Sequence, residues 1–502
     1  MRKKKLALNT ITSLILQIVT IICGFILPRL ILGNFGTDVN GLVNSITQFL
    51  SIIAFLELGV GAVVQSALYK PLADNDVNQI SRICVSANKF FKKLAIILLL
   101  YVIGLIIAFH FVINSEFDYI FTATLIGAIS ISSFAQYYFG VVDALLLTSD
   151  QRGYIQYLAQ IFTLLLNTFA CVILIKSGAN IQIVKLTTSL IYLLRPIFLR
   201  WYVNKRYSID RNITYTTEPI KQKWNGVAQH IAAVVLDNTD IVVLTLFSTL
   251  SNVSIYSVYF LVVNGVKTLF TSMTKGLGAL LGELWARKEQ DELKRIFEIS
   301  EWAIHTGVVF VFGCTASLIV PFVQVYTLGV NDANYVVPEF ALLITIANGL
   351  HCLRLPYNLM ILAGGHYRQT QSNYIIAACM NLIVSIATVH FLGLIGVAVG
   401  TVVAMLYQTV WMAYYDSKNF INAPINYFFK HMFVDCICFG IAYFICNLFP
   451  FSDISLLGWV TQAIKISVIW FICTFIINII FYPKYVKGLF FKGLRKVYKN
   501  NK

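Results

Sequence analysis

The chain has 502 residues, of which 58% are hydrophobic, 14% aromatic and only 12% charged. Soluble domains are roughly 45–50% apolar and roughly 25% charged, so this composition predicts an integral membrane protein embedded in the lipid bilayer. It excludes a soluble enzyme, a nucleic-acid-binding protein and a disulfide-stapled secreted protein.

Apolar segments follow one another along the whole chain, and each is close to the roughly 20 residues that a helix needs to cross a bilayer. Charged residues and clusters of Gly, Asn or Asp separate them. Long continuous apolar runs are typical of helices, so we expect an all-α polytopic fold of about fourteen spans. The predicted spans are 8–32, 40–69, 94–113, 118–147, 154–175, 182–203, 225–249, 253–286, 300–328, 336–364, 371–391, 393–415, 428–449 and 457–481.

The distribution of basic residues predicts the topology. The chain carries 38 Lys and Arg against 23 Asp and Glu, a formal net charge of +15. With a cytoplasmic N-terminus, 30 of these cations fall in inside segments, whereas the outside loops hold only Lys176 and Lys185. The positive-inside rule explains this asymmetry without a nucleic-acid partner, and it places both termini in the cytoplasm.

Several signals of catalysis or metal binding are missing from the sequence. The ten cysteines are scattered, without the CxxC or Cys/His spacing of a metal site. No GxxxxGK[ST] phosphate-binding loop occurs, which argues against an ATP-driven pump. No connection between the predicted spans exceeds about 25 residues, which leaves no room for a catalytic domain. We therefore expect no cofactor, no metal and no enzymatic activity.

The spacing of the spans indicates a duplication. Six spans precede the long cytoplasmic linker and six follow it, as in transporters whose halves are related by an axis along the membrane normal. The predicted organisation is an N-terminal six-helix lobe (1–203), the linker (204–224), a C-terminal six-helix lobe (225–416), an additional helix pair (417–482) and a basic cytoplasmic tail (483–502).

Six cations remain at membrane depth after the loops are counted. A charged side chain at mid-membrane costs about 2.5–3.5 kcal/mol, so each needs a partner, a wet cavity or a functional role. Arg195 and Lys465 lie close to span ends, where snorkelling explains them. The other four are candidates for a cationic, substrate-binding cavity, and the alternative is that they are unrelated helix-end cations. They are Arg29, Lys267, Lys275 and Arg354.

Acidic residues at membrane depth are candidates for ion coupling or a charge pair. The spacing of His230, Asp237 and Asp240 places all three on one face of the seventh span. Lys267 in the antiparallel eighth span reaches a similar depth, and Glu57 lies in the second span. The group forms either a cavity-lining ion site or a buried Asp–Lys pair that only locks two spans together.

Four features in their order along the chain resemble the polysaccharide-unit (Wzx-type) flippases of the multidrug/oligosaccharidyl-lipid/polysaccharide exporter superfamily. They are Pro28-Arg29 in the first span, FLELGVGAVVQSALYKPLA from Phe55, DNTDIVVL from Asp237 and ARKEQDELKRIF after the eighth span. The resemblance implies two six-helix lobes around a cationic cavity in a bacterial cytoplasmic membrane.

By this resemblance, the chain would translocate undecaprenyl-diphosphate-linked oligosaccharides for cell-surface polysaccharide synthesis. The expected mechanism is alternating access driven by an H⁺ or Na⁺ gradient, with other polysaccharide-assembly membrane proteins as partners. A diphosphate cannot cross hydrocarbon, and Arg and Lys side chains can replace its water. Two alternatives stay open: a drug or metabolite antiporter of the same fold, and a membrane glycosyltransferase or polysaccharide polymerase.

Overall fold

The structure, a computed structural model, describes residues 2–53, 55–112, 117–220 and 227–488. Across these ranges the chain forms seventeen α-helices, two π-helical turns and no strand. Twelve helical segments of this described part are long and apolar enough to cross a membrane. The prediction of an all-α, multi-pass membrane protein is confirmed.

Two compact units make up the chain, 1–254 and 255–502. The boundary falls within α10, after Ser254, and the lobes predicted from the sequence stay a prediction. The helices of the first unit are α1 (Arg2–Phe35), α2 (Thr37–Ile52), α3 (Phe55–Asp74), α4 (Val77–Val112), α5 (Tyr119–Ala135), α6 (Val141–Ser149), α7 (Gly153–Lys176), α8 (Ile181–Arg206) and α9 (Val227–Phe247).

The second unit contains most of α10 and all the following helices. They are α10 (Leu250–Ala286), α11 (Gln290–Tyr326), α12 (Pro338–Leu353), α13 (Leu355–Ala363), α14 (Tyr367–Leu392), α15 (Leu394–Asp416), α16 (Asn426–Asn447) and α17 (Leu456–Phe481). π-Helical turns follow α5 at Gln136–Gly140 and α15 at Ser417–Ile421. Each of the fourteen predicted spans coincides with one helix or with an interrupted pair.

The fourth helix begins well before the span predicted at 94–113. Its first half carries Lys89, Lys92 and Lys93, which the sequence analysis treated as a loop. In the structure this half is amphipathic, with Ile80, Ile83, Ala87 and Phe91 buried on one face. Basic residues on the opposite face interrupt the apolar run without interrupting the helix.

The predicted linker folds against the first unit as far as residue 220. The backbone N–H of Asp210 donates to Ser81 Oγ at 3.1 Å, and the Ser86 hydroxyl hydrogen-bonds Glu218. Lys89 Nζ lies 4.8 Å from the centroid of the Tyr215 ring. These contacts fix the linker to the early part of α4.

Close backbone approach joins α14 to α15 in the second unit. A Cβ added at Gly400 would lie 2.1 Å from Ser385 Oγ, and one at Gly396 would lie 2.6 Å from the Thr388 carbonyl oxygen. The two glycines are four residues apart, the spacing of the small-residue motif that lets membrane helices pack closely. Leu394 and Val397 are buried beside them.

Candidate functional site

The predicted cation Arg354 lies at a helix break inside the second unit. It occupies the junction between α12 and α13, and Pro356 lies in the first turn of the new helix. Its side chain is buried, with 6% of the residue exposed, and Nη2 lies 3.1 Å from His351 Nδ1. Nε and Nη1 have no hydrogen-bond partner. Buried donors are rarely left unpaired, so this guanidinium is suited to receive an anion.

Lys267 lies in the neighbourhood of Arg354. Its side chain, on α10, is partly buried, and Nζ lies 5.6 Å from the centroid of the Phe260 ring. His351 and Cys352 are within electrostatic range of both Lys267 and Arg354. The structure therefore brings two of the four predicted cations together in the second unit.

For the other two predicted cations, Arg29 and Lys275, the structure gives less detail. Arg29 is a half-buried residue of α1 in the first unit, and a Cβ added at Gly33 would lie 3.6 Å from its Nη1. Lys275 belongs to α10, but its side chain is outside the described residues. The grouping of all four cations stays a prediction.

Only one of the predicted acidic residues has a described side chain. Asp240 is buried in α9 and belongs to the first unit, whereas Lys267 belongs to the second. The side chains of Glu57, His230 and Asp237 are outside the described residues. The pairing with Lys267 and the ion-coupling role both stay predictions.

Helix α9 is fixed to α2 by polar contacts close to Asp240. Gln48 Nε2 donates to Asn238 Oδ1 at 2.9 Å, and the hydroxyls of Ser45 and Thr245 are 2.8 Å apart. At the beginning of α10, which follows α9, Ser254 Oγ accepts from Asn40 Nδ2 of α2 at 2.8 Å. Interhelical hydrogen bonds of this kind stabilise helix pairs in hydrocarbon, so α2 positions the helix that carries Asp240.

A cavity of about 460 Å³, lined by both apolar and polar residues, lies inside the first unit. Lys185 lines it from the first turn of α8, although the sequence analysis assigned this residue to an outer loop. An adjoining cavity of about 190 Å³ is lined by Arg195, whose Nε donates to Thr163 Oγ1 at 2.5 Å. Arg195 is therefore held by a helix neighbour and does not need to snorkel.

Both cavities share a wall of polar residues, three of which come from the end of α5 and the first residue of the π-helical turn, and one from α8. The turn widens the helix at Gln136, and such turns are frequent at functional sites. Arg195 also stacks over Tyr192, with 4.2 Å between the guanidinium carbon and the ring centroid. The shared wall consists of Ser132, Ser133, Gln136 and Tyr192.

One end of the first unit carries a network of paired charges. Asp150 accepts from Lys5 Nζ at 3.2 Å and from the Tyr207 hydroxyl at 2.5 Å, and it forms an ion pair with Arg152, whose Nε lies 2.7 Å from its Oδ2. Burial raises the pKa of Tyr207, and its hydrogen bond to Asp150 raises it further. This tyrosine therefore stays a neutral donor at physiological pH.

A second carboxylate of the first unit is held in the same way. Asp143 lies 3.4 Å from both Arg200 Nη1 and Arg211 Nη2. Both arginines belong to segments that the positive-inside asymmetry predicts to be cytoplasmic. The N-terminal segment, the α6–α7 connection and the linker therefore meet at one end of the unit, as the predicted topology requires.

The fold is shared with solved membrane transporters. No protein-family model and no curated protein matches the sequence. A structure of the lipid II flippase MurJ in an inward closed conformation superposes with a TM-score of 0.64, at 15% identity, over 96% of this chain and 100% of that one. An inward-facing multidrug resistance MATE family transporter of the MOP superfamily superposes with a TM-score of 0.62, at 14% identity, over 80% and 94%.

A third similar structure is a MOP superfamily transporter from Pyrococcus furiosus that is described as having a binding pocket of reversed polarity. Its TM-score is 0.54, at 14% identity, over 80% of this chain and 95% of that one. At these identities the likeness shows the fold alone. Function has to be argued from the side chains of this chain.

Proposed function

We propose that this protein is a Wzx-type flippase that translocates undecaprenyl-diphosphate-linked oligosaccharides across the bacterial cytoplasmic membrane for surface polysaccharide synthesis. The MOP fold supports a transporter, and the extent of the MurJ likeness supports a lipid-linked cargo. The MurJ likeness omits only 4% of this chain, and this omitted share is shorter than α16 and shorter than α17. At least part of each of these last two helices therefore lies within the likeness. The MATE likeness leaves out 20% of the chain.

The observation that carries the proposal is the buried guanidinium of Arg354. Two of its nitrogens have no partner, and Lys267 contributes a second positive charge to the same region. A diphosphate needs donors that replace its hydration shell, and a guanidinium offers a planar fork for phosphate oxygens. We extend the proposed binding set to Arg29 and Lys275 on sequence grounds.

In the proposed mechanism the protein moves the lipid-linked sugar by alternating access and forms no covalent bond with it. The ion gradient that drives transport would act on Asp237 and Asp240, together with His230 and Glu57. Both termini would lie in the cytoplasm, where the polysaccharide-assembly enzymes supply the cargo. The substrate's lipid tail would stay in the bilayer throughout.

One alternative function has specific support. The likeness to a multidrug resistance MATE transporter favours an antiporter for drugs or metabolites. Such a protein would carry cationic cargo in an acidic cavity, which the unpaired guanidinium of Arg354 would repel. We therefore prefer the lipid-linked, anionic cargo.

A test in cells compares Arg354→Ala with Arg368→Ala, a matched change at an exposed arginine of α14. The measurement is the amount of lipid-linked oligosaccharide retained on the inner leaflet at equal protein levels. We expect retention with Arg354→Ala, and wild-type export with Arg368→Ala. Normal export in both Arg354→Ala and Arg29→Ala would contradict the proposal.

A further inference from the structure

A cavity of about 600 Å³ in the second unit has an unpaired carboxylate in its wall. Asp416, the last residue of α15, is only 1% exposed, and neither of its carboxylate oxygens has a hydrogen-bond partner. Glu301 of α11 lines the same cavity, and the two carboxylates repel each other electrostatically. Two such groups in a low-dielectric site cannot both be ionised without a large free-energy cost.

A chain of hydrogen bonds leads away from Glu301 through three helices. The Tyr357 hydroxyl donates to Glu301 Oε1 at 2.5 Å and lies 3.4 Å from His305 Nε2. His305 Nδ1 lies 2.5 Å from Asp435 Oδ2 on α16. Asp435 has a 14% exposed side chain, whereas that of His305 is 1% exposed. The chain thus connects Glu301, which lines the cavity together with Asp416, to a more accessible carboxylate.

The other ionisable groups around the cavity provide no hydrogen-bond partner for Asp416. Lys430 Nζ lies 5.1 Å from the centroid of the Tyr482 ring, and the Tyr482 hydroxyl is 2.7 Å from His431 Nδ1. Burial raises the pKa of Tyr482, and the charges of Asp435 and Glu301 raise it further. The polar lining also includes Glu298, Ser417, Tyr427, Lys484 and Tyr485.

Among the residues that the structure describes, no group of three or more His, Cys, Asp or Glu could hold a metal ion. A proton needs only one carboxylate oxygen, and a second carboxylate in the same cavity favours its binding because two like charges repel each other. His305 and Tyr357 are both able to accept one proton and donate another.

We propose that Asp416 and Glu301 form a binding site for one proton, reached along Asp435, His305 and Tyr357. Protonated Asp435 gives its proton to His305 Nδ1, the proton on Nε2 passes to the Tyr357 oxygen, and the Tyr357 hydroxyl proton passes to Glu301. His305 and Tyr357 end with as many protons as they began with. The transfer moves one positive charge from Asp435 to the carboxylate pair.

The site differs from the ion-coupling residues predicted from sequence, and it does not depend on the identity of the transported molecule. Its surroundings belong to the beginning of α11, the end of α15, the beginning of α16 and the end of α17. The positive-inside asymmetry predicts that all four regions are cytoplasmic. Proton binding here would therefore respond to cytoplasmic pH.

The test is infrared spectroscopy of the full-length protein in lipid nanodiscs, in H₂O and in D₂O. At neutral pH we expect a protonated carboxylic acid band in the wild type, and its loss in both Asp416→Asn and Glu301→Gln. The exposed Asp453→Asn is the matched control and should keep the band. Absence of the band from the wild type would overturn the proposal without reference to any variant.

Two further measurements are needed. The first distinguishes a bound proton from a bound alkali ion, and the second distinguishes a proton-transfer role of His305 from a purely structural one. Adding Na⁺ at constant pH, with choline as the control cation, should leave the carboxylic acid band unchanged. Loss of the band with Na⁺ but not with choline would overturn the proposal in favour of an alkali ion. His305→Gln should keep the band and slow its change after a pH jump by about tenfold or more, as expected when a general acid–base group is removed. An unchanged rate would overturn the relay.

Discussion

The first unit pairs Asp143 and Asp150 with cations at one end of its helix bundle, whereas the second unit encloses charges that have unused hydrogen-bonding atoms. Asp143 faces Arg200 and Arg211 in the first unit. In the second, Arg354 keeps two unpaired nitrogens and Asp416 two unpaired oxygens. Satisfied charges hold elements together, while unsatisfied buried charges are unfavourable unless a ligand completes them. We therefore propose a structural role for the paired charges of the first unit and binding roles for Arg354 and Asp416 of the second.

The largest expected effect comes from Arg354→Met. Because the guanidinium is buried without full pairing, an apolar side chain of similar length should leave the unfolding free energy unchanged or raise it. Transport should fall by about 10- to 100-fold, because hydrogen bonds to charged groups contribute about 1.5–3 kcal/mol each. Thermal unfolding and substrate export, measured on the same variant, check both statements. A destabilised variant would show that Arg354 is structural.

Asp143→Asn, in the first unit, should have the opposite effects to Arg354→Met, because it should lower stability and leave transport unchanged. The change removes the charge that Arg200 and Arg211 share, and we expect the free energy of unfolding to fall by about 2 kcal/mol. Export per folded molecule should stay at the wild-type level. Denaturation in mixed micelles and export at matched protein levels provide the two readouts. Loss of export at normal stability would contradict the purely structural role of Asp143 and hence the difference between the two units.

A smaller loss is expected for Tyr207→Phe. The substitution keeps the ring and removes one of two hydrogen bonds to the Asp150 carboxylate, which retains Lys5 as a donor and Arg152 as an ion-pair partner. The unfolding free energy should fall by about 1 kcal/mol, within the range for a hydrogen bond to a charged group that stays partly satisfied. An effect as large as that of Asp143→Asn would mean that the linker docks through this contact alone.

The smallest expected effect is that of Glu283→Gln. Glu283 pairs with Arg287 at 2.7 Å, but both side chains are more than half exposed. Exposed helix pairs contribute about 0.3–0.5 kcal/mol, so the thermal midpoint should hardly move. A change comparable to that of Asp143→Asn would show that exposure does not separate structural from incidental pairs in this chain.

Hydropathy predicted the helices because a bilayer-crossing helix must be long and apolar whatever it packs against. It also located Arg354, since a cation beside Pro356 in an apolar run is visible in one segment. Hydropathy did not predict the beginning of α4, because Lys92 and Lys93 lie on the charged face of a helix whose opposite face is buried. The ends of helices were therefore predicted less well than their existence.

The hydrogen-bond chain of the second unit was missed because it joins residues far apart in sequence. His305 and Asp435 are 130 positions apart, and the chain does not reveal which helices adjoin. One local signal existed. Glu301 and His305 are four residues apart on α11, as are His431 and Asp435 on α16, so each pair shares a helix face. Acid–histidine pairs at this spacing in apolar runs predict buried ionisable sites.

Translocation by the purified full-length chain in proteoliposomes tests the account most directly. The substrate is an undecaprenyl-diphosphate-linked oligosaccharide, and the readout is its exposure to an impermeant sugar-modifying reagent. We predict translocation by the wild type and by Arg368→Ala, and only the protein-free background with Arg354→Ala. Translocation by Arg354→Ala at the wild-type rate, or none by the folded wild type, would contradict the account.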